Sequence, residues 1–151
     1  MNKKVRDLWA KDLEESGALQ GIGYLRTGDP ERGDLWWCCL GRLCELHRTE
    51  TGQGEWRDSG EKTYQGRPIW RYVALCVRET GSQAFLPEQV RAWAGLARRV
   101  DDPTLQPETR TRRRQKASEV NDAEVPFTEI AKLVREYEGE PAKKAEEDER
   151  D

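Results

Sequence analysis

The sequence has no long apolar run and no recognisable leader. No stretch approaches the roughly 18–20 apolar residues of a membrane-spanning helix. Residues 1–15 are charged throughout, without the apolar segment of a signal peptide. We therefore expect a protein that stays in the cytoplasm, makes no membrane contact and keeps its four cysteines as reduced thiols.

The common sequence marks of catalysis are also missing. Neither of the glycine-rich phosphate motifs, GxxxxGK[ST] and GxGxxG, is present. The carboxylates form no focused pair, and His47 is the single histidine that acid–base or nucleophilic catalysis would have to use. We therefore expect a protein that is not an enzyme and that needs no cofactor.

The cysteines form the one cluster with the residue types of a metal site. A zinc site needs pairs of ligands that converge, usually from CxxC or a close variant. Cys38 and Cys39 are adjacent on a predicted strand and should point to opposite faces. Cys44 shares helical spacing with leucines, where a free cysteine packs as a small apolar side chain. We favour packing and no metal, with a zinc module or a reactive thiol at Cys38, Cys39, Cys44 and Cys76 as the alternatives.

Aromatic residues compensate for a modest apolar content. Apolar residues make up 35% of the chain and charged residues 36%, with a net charge of −3. Six Trp, four Tyr and two Phe are concentrated before Arg99, and each buried aromatic removes about 150–250 Å² from water. We expect the core to lie mostly in that part.

Helices are predicted from apolar residues at spacings of three and four. Val5, Leu8, Trp9 and Leu13 define one apolar face, followed by Ser16-Gly17 as a C-cap. The same reasoning, with Pro87 at an early helix position and Thr128 as the cap of the last helix, gives four helices near residues 3–15, 40–47, 86–96 and 126–138.

Strands are predicted as two hairpins. The first joins residues 21–27 to 35–39 across the turn-rich loop 28–34, and the second joins residues 62–65 to 69–77. Residues 49–61 and 101–106 are predicted as loops. The fold class is therefore a single α+β domain over residues 1–138: a small antiparallel sheet from two hairpins, packed by three to four short helices. A disordered acidic tail, residues 139–151, should follow.

Three blocks of the sequence carry a resemblance. They are CCLGxLC at residues 38–44, LPxxVxxWAGL at residues 86–96 and NDxxxxFxxIA at residues 121–131. In this order they resemble a family of small, mostly uncharacterised bacteriophage proteins. The resemblance implies an origin rather than an activity: a phage accessory protein in the host cytoplasm.

The aromatic residues of the predicted sheet are the first candidates for binding. Trp36 and Trp37 straddle a strand, so one of them should face away from the core. With Trp70 or Tyr72 it would form an exposed aromatic patch, which often marks a partner or ligand surface. The alternative is that helices cover both faces of the sheet.

Asn121 and Asp122 are further binding candidates at a predicted break between helices. Either they bind a ligand or partner, or they satisfy backbone donors at a helix boundary. The segment that follows looks like the first half of a helix-turn-helix, but the sequence offers no recognition helix after Tyr137.

A basic stretch offers a different function. It contains Arg110, Arg112, Arg113, Arg114 and Lys116, which could neutralise phosphates. It has no interleaved aromatic to stack on bases, so a solvated segment is the simpler interpretation. Our leading hypothesis is a non-enzymatic phage protein that binds a host factor or a small ligand, for example to counter host defence. A nucleic-acid-binding phage protein is the alternative.

Overall fold

A computed structural model describes residues 1–60, 64–74, 81–106, 110 and 113–141. Within these ranges the chain is a single α+β domain, as predicted. The helices are α1 (Lys3–Glu15), α2 (Cys39–Thr51), α3 (Glu88–Ala94), α4 (Ala117–Asp122) and α5 (Phe127–Arg135). The strands are β1 (Leu19–Gln20), β2 (Arg26–Asp29), β3 (Asp34–Trp37), β4 (Glu55–Asp58), β5 (Trp70–Val73), β6 (Thr104–Gln106) and β7 (Gln115–Lys116).

Helix α1 has the bounds that its periodicity predicts. The Asn2 side chain caps its start by accepting a hydrogen bond from the Lys4 amide at 2.9 Å. Its apolar face is buried against α2 and α5, and the Trp9 indole donates to the carbonyl of Cys39 at 2.8 Å. This hydrogen bond satisfies the one polar atom of a fully buried tryptophan side chain.

Helix α2 begins earlier and ends later than predicted. Cys38 is its N-cap, with Sγ accepting from the Gly41 amide at 3.3 Å, and Gly52 ends it in the left-handed conformation. The prediction that Cys38 and Cys39 lie on a strand is therefore wrong. The strand stops at Trp37, because the next amides belong to the first turn of a helix.

The first predicted hairpin is present in a shifted form. Strands β2 and β3 pair antiparallel, with Arg26 opposite Trp37 and Thr27 opposite Trp36. The first strand starts at residue 26 rather than 21, and β1 adds a parallel partner to β3 that was not predicted. A Cβ at Gly28 would overlap the backbone of Asp34, so this pairing requires glycine.

The second predicted hairpin has a different first strand. Strand β5 pairs with β4, which lies in the segment predicted as a polar loop. Of the predicted strand 62–65, residues 62 and 63 lie outside the described residues, as do residues 75–80. Tyr64 and Arg67 form an isolated antiparallel bridge around a tight turn. Strand β4 was missed because Trp56 is its only apolar side chain.

The C-terminal part also differs in detail. The predicted loop 101–106 contains β6, which pairs with β7. Helix α5 is shorter than predicted, and Thr128 does not cap it, since Pro126 occupies the N-cap position. Glu140, placed in the tail by the sequence, accepts hydrogen bonds from the Thr104 amide at 2.9 Å and the Tyr137 hydroxyl at 2.9 Å. Residues 142–151 lie outside the described residues.

The core joins both parts of the chain. Buried side chains of α1 and α2 pack with those of α4 and α5, including Val120, Ile130 and Val134. The core therefore extends well beyond the aromatic-rich part before Arg99. None of the described helices has the length and apolar composition needed to cross a bilayer.

Candidate binding site

The β2–β3 ribbon presents two faces with different chemistry. Side chains alternate along a strand, so the cross-strand pair Thr27–Trp36 lies on one face and the pair Arg26–Trp37 on the other. The first face opens into a pocket. The second face is covered by the β4–β5 hairpin. The register of one short ribbon therefore positions both features.

The pocket on the first face has a volume of about 160 Å³. We call it the Trp36 pocket. It combines an indole and a phenol ring with amide, hydroxyl and charged groups, and its principal lining residues are Gln20, Thr27, Trp36, Tyr64, Arg67 and Glu124. A concave site with a few polar groups around an aromatic wall is typical of a binding site.

Trp36 is held in place from two sides. Its indole nitrogen donates to an oxygen of Asp34 at 2.7 Å. The Arg67 guanidinium carbon lies 4.4 Å from the centre of the indole ring, within the range of a cation–π contact. Arg67 in turn donates to the side-chain oxygen of Gln65 at 2.7 Å. Asp34 and Arg67 therefore both contact the indole that forms this wall of the pocket.

Backbone strain is concentrated at this pocket. Three non-glycine residues among those described have positive φ, and two of them, Gln65 (51°) and Glu124 (62°), line the Trp36 pocket. Such conformations cost of order 1–3 kcal/mol each and are enriched at functional sites. At Gln65 the strain belongs to the turn that brings Tyr64 and Arg67 together.

Asn121 and Asp122, the binding candidates at the predicted helix break, make hydrogen bonds to backbone groups in this structure. Asn121 is fully buried, its side-chain oxygen accepts from the Cys39 amide at 3.1 Å, and its amide nitrogen donates to the carbonyl of Gly21 at 2.8 Å. Asp122 is exposed, and its carboxylate accepts from the Gly23 amide at 3.0 Å. Both side chains hold the segment that forms one wall of the pocket.

The structure also corrects the proposed aromatic patch. Tyr72 is fully buried, with its hydroxyl 2.6 Å from Nδ1 of His47, and Trp37 is only 6% exposed. His47 lies inside α2 rather than at its end. Trp36 and Trp70 are half-buried and belong to opposite sides of the ribbon, where Trp70 donates to the carbonyl of Gly28 at 2.8 Å. No single patch unites the predicted aromatic residues.

The three cysteines that the structure describes are buried thiols. Burial raises the pKa of Cys38 to about 12 and raises the pKa of Cys39 and of Cys44. The thiolate, which is the nucleophile and the metal ligand, is therefore disfavoured. Over the described part of the chain, no three His, Cys, Asp or Glu side chains are grouped as a metal site would need. Cys76 lies outside the described residues.

The basic stretch lies apart from the residues that line the Trp36 pocket. Arg110, Arg113 and Lys116 are exposed and Arg114 is half-buried, whereas Arg112 lies outside the described residues. Arg113 is 3.7 Å from Glu119, and its side chain remains 84% exposed. The ion pair therefore leaves the guanidinium accessible to solvent.

Sequence reasoning identified Trp36 and missed the residues around it. The turn at Gln65-Gly66, between Tyr64 and Arg67, carries a signal, because glycine in a two-residue loop is typical of a tight hairpin. No local signal places that turn against Trp36. The stacking of Arg67 on the indole depends on tertiary structure.

Comparison with known proteins gives a family and no activity. The family model described as Domain of unknown function (DUF8296) matches residues 1–138. No curated protein and no solved structure matches the chain.

Proposed function

Because the chain belongs to the DUF8296 family, whose description assigns no activity, we propose a function from the geometry. We propose that it is a non-enzymatic phage accessory protein. It binds a host protein in the host cytoplasm through the Trp36 pocket, and interference with host defence is one role that such binding would serve. The phage origin rests on the three sequence blocks described above.

The observation that carries the proposal is the composition of the Trp36 pocket. Tryptophan, tyrosine and arginine are the residue types that most often dominate binding energy in protein interfaces, and Trp36, Tyr64 and Arg67 meet here. Leu19, which pairs with Trp36 in the sheet, is 44% exposed and extends the apolar surface beside the pocket. The pocket is therefore suited to anchor a partner.

The size of the pocket favours a protein partner over a free small molecule. Sites for drug-sized ligands usually measure about 300–1,000 Å³, whereas this pocket measures about 160 Å³. It fits one inserted side chain. The indole of Trp36 would contact an apolar stem, and Gln20, Thr27 and Arg67 would contact a polar tip.

Replacing Arg67 with alanine is the direct test. The change removes the guanidinium from Trp36 without altering the core, and hot-spot truncations of this kind cost about 2 kcal/mol or more in binding. We expect tagged Arg67→Ala to capture at most about one tenth of the host protein that the wild-type chain captures. Quantitative mass spectrometry after capture from host lysate measures this amount.

Arg57→Ala is the matched control. Arg57 is an exposed arginine on β4 that pairs with Glu55 and does not line the pocket. A partner lost from Arg67→Ala but kept by Arg57→Ala supports the proposal. Equal retention by both variants contradicts it. A small molecule that co-purifies with the wild-type and Arg57→Ala proteins but not with Arg67→Ala would show that the pocket binds a small ligand instead of a protein.

The alternative, a nucleic-acid-binding phage protein, draws on the exposure of Arg110, Arg113 and Lys116. Each phosphate contact contributes about 0.7–0.9 to the slope of log affinity against log salt concentration. If the basic stretch binds DNA or RNA, we expect the double variant Arg110→Gln/Arg113→Gln to lower that slope by about 1.4–1.8, measured by fluorescence anisotropy. The control variant Arg57→Gln should have the same slope as the wild-type protein. Absence of binding at low salt rules the alternative out.

A further inference from the structure

Arg26 lies on the covered face of the β2–β3 ribbon, opposite the Trp36 pocket. It is only 7% exposed. Its guanidinium carbon lies 4.5 Å from the ring centre of Trp70, 5.3 Å from that of Trp56 and 5.4 Å from that of Trp37. We call this arrangement the Arg26 cage. Trp56 and Trp70 come from the β4–β5 hairpin, which closes over the ribbon.

The guanidinium in the cage has no hydrogen-bonded oxygen partner among the residues that the structure describes. Its Nε is buried without a hydrogen bond, and no carboxylate among the described residues forms an ion pair with it. The nearby carboxylate of Glu45 is already occupied, since it accepts from the Trp56 indole at 2.9 Å and from Arg48. Buried polar groups are almost always hydrogen-bonded, so an exception calls for an explanation.

The aromatic rings compensate only part of the cost of burying this charge. Cation–π contacts are weak compared with the desolvation of a buried charge, and indole faces offer no oxygen acceptor to the N–H groups. Burial lowers the pKa of Arg26 to about 10, although the charge of Glu45 opposes the shift. The side chain is therefore cationic near neutral pH, and no carboxylate among the described residues lies within ion-pair distance of it.

We propose that Arg26 is an oxyanion-binding residue, which takes a carboxylate or phosphate group at the edge of the Arg26 cage. The planar guanidinium presents paired N–H donors that match either group in a bidentate way. Three indoles surround the guanidinium, and no hydrogen bond to a described residue uses its terminal N–H donors. The nearby Arg48 is paired with Glu45, so Arg26 is the cation of this cluster that is not held in an ion pair with a described carboxylate.

This site is separate from the proposed function, because the two lie on opposite faces of the ribbon. Loss of partner binding in Arg67→Ala leaves the Arg26 cage untouched. Conversely, loss of oxyanion binding in an Arg26 variant says nothing about the Trp36 pocket. The two proposals therefore fail independently.

Thermal unfolding of the full chain tests the inference. A ligand that binds only the folded state raises Tm. We compare sodium phosphate and sodium acetate with sodium chloride at equal ionic strength. We expect at least one oxyanion to raise Tm above the chloride value in the wild-type protein and in Arg57→Met, and to give no such rise in Arg26→Met. A response to phosphate alone identifies a phosphate site, and a response to acetate alone identifies a carboxylate site.

Two results overturn the proposal: no oxyanion-specific rise in the wild-type protein, or the same rise in Arg26→Met. A second measurement applies if Arg26→Met does not fold. The Nε–H signal of Arg26 in the wild-type NMR spectrum should shift saturably on addition of phosphate or acetate and stay unchanged with chloride. If neither oxyanion shifts the Arg26 signal, the proposal is also overturned.

Discussion

Replacing Asn121 with alanine is expected to destabilise the protein by roughly 2–5 kcal/mol, which would be a large part of the 5–15 kcal/mol typical of a domain. The reason is that one fully buried side chain satisfies two backbone groups. The amide of Cys39 lies in the first turn of α2, where it has no acceptor within the helix, and it donates to Asn121 instead. The carbonyl of Gly21, just after β1, accepts from the same side chain. Alanine leaves both groups without their side-chain partner, and the amide of Cys39 is buried away from water.

Urea denaturation followed by circular dichroism measures this effect. Asp122→Ala is the matched control, because Asp122 also accepts a backbone hydrogen bond, from Gly23, but is exposed. Water can replace that bond, so we expect a loss below about 1 kcal/mol. If Asn121→Ala costs no more than Asp122→Ala, the role assigned to Asn121 in joining α4, α2 and β1 is wrong.

Replacing Gly41 with alanine is expected to destabilise the protein, although the same substitution inside a helix usually stabilises it. Alanine normally stabilises a helix interior by about 1 kcal/mol relative to glycine. Here α2 lies so close to the chain before β2 that a Cβ would overlap the carbonyl oxygen of Leu25 and lie 2.7 Å from its carbonyl carbon. Backbone cannot rotate away as a side chain can, so we expect a loss of about 3 kcal/mol or more.

Gly17→Ala is the control that separates the clash with Leu25 from the general effect of replacing a glycine. Gly17 has a positive φ of 68°, and nothing lies within 4 Å of the position of its Cβ. The strain there should cost only about 1 kcal/mol. Equal denaturation midpoints for Gly17→Ala and Gly41→Ala would show that α2 can move away from Leu25.

The parts of the fold that the sequence predicted best are those with a complete local signal. Helix α1 has four apolar residues on one face, a cap at Asn2 and a glycine after its end, and its bounds were predicted correctly. Strands β1 and β4 were missed because they are short and mostly polar, and their partners are distant in sequence. Pairing of this kind depends on the tertiary fold, which local propensity does not describe.

In the candidate site, too, the sequence predicts features that depend on local pattern and misses those that depend on tertiary packing. Trp36 was a candidate because alternation places one of two adjacent tryptophans away from the core. The location of Tyr72 could not be predicted, since its burial depends on the packing of His47 and of the β4–β5 hairpin. For Asn121 the simpler alternative, a partner for backbone donors at a helix boundary, describes its contacts better than ligand binding.

The pairing of β2 with β3 also limits how this sequence can change by insertion or deletion. Adding or removing one residue within either strand would reverse every side chain beyond that point. Trp36 would then enter the Arg26 cage and Trp37 would face the Trp36 pocket, so both sites would be lost in one step. We therefore expect length variation among relatives to fall in the turn at residues 30–33, where the chain can change without disturbing the four paired positions.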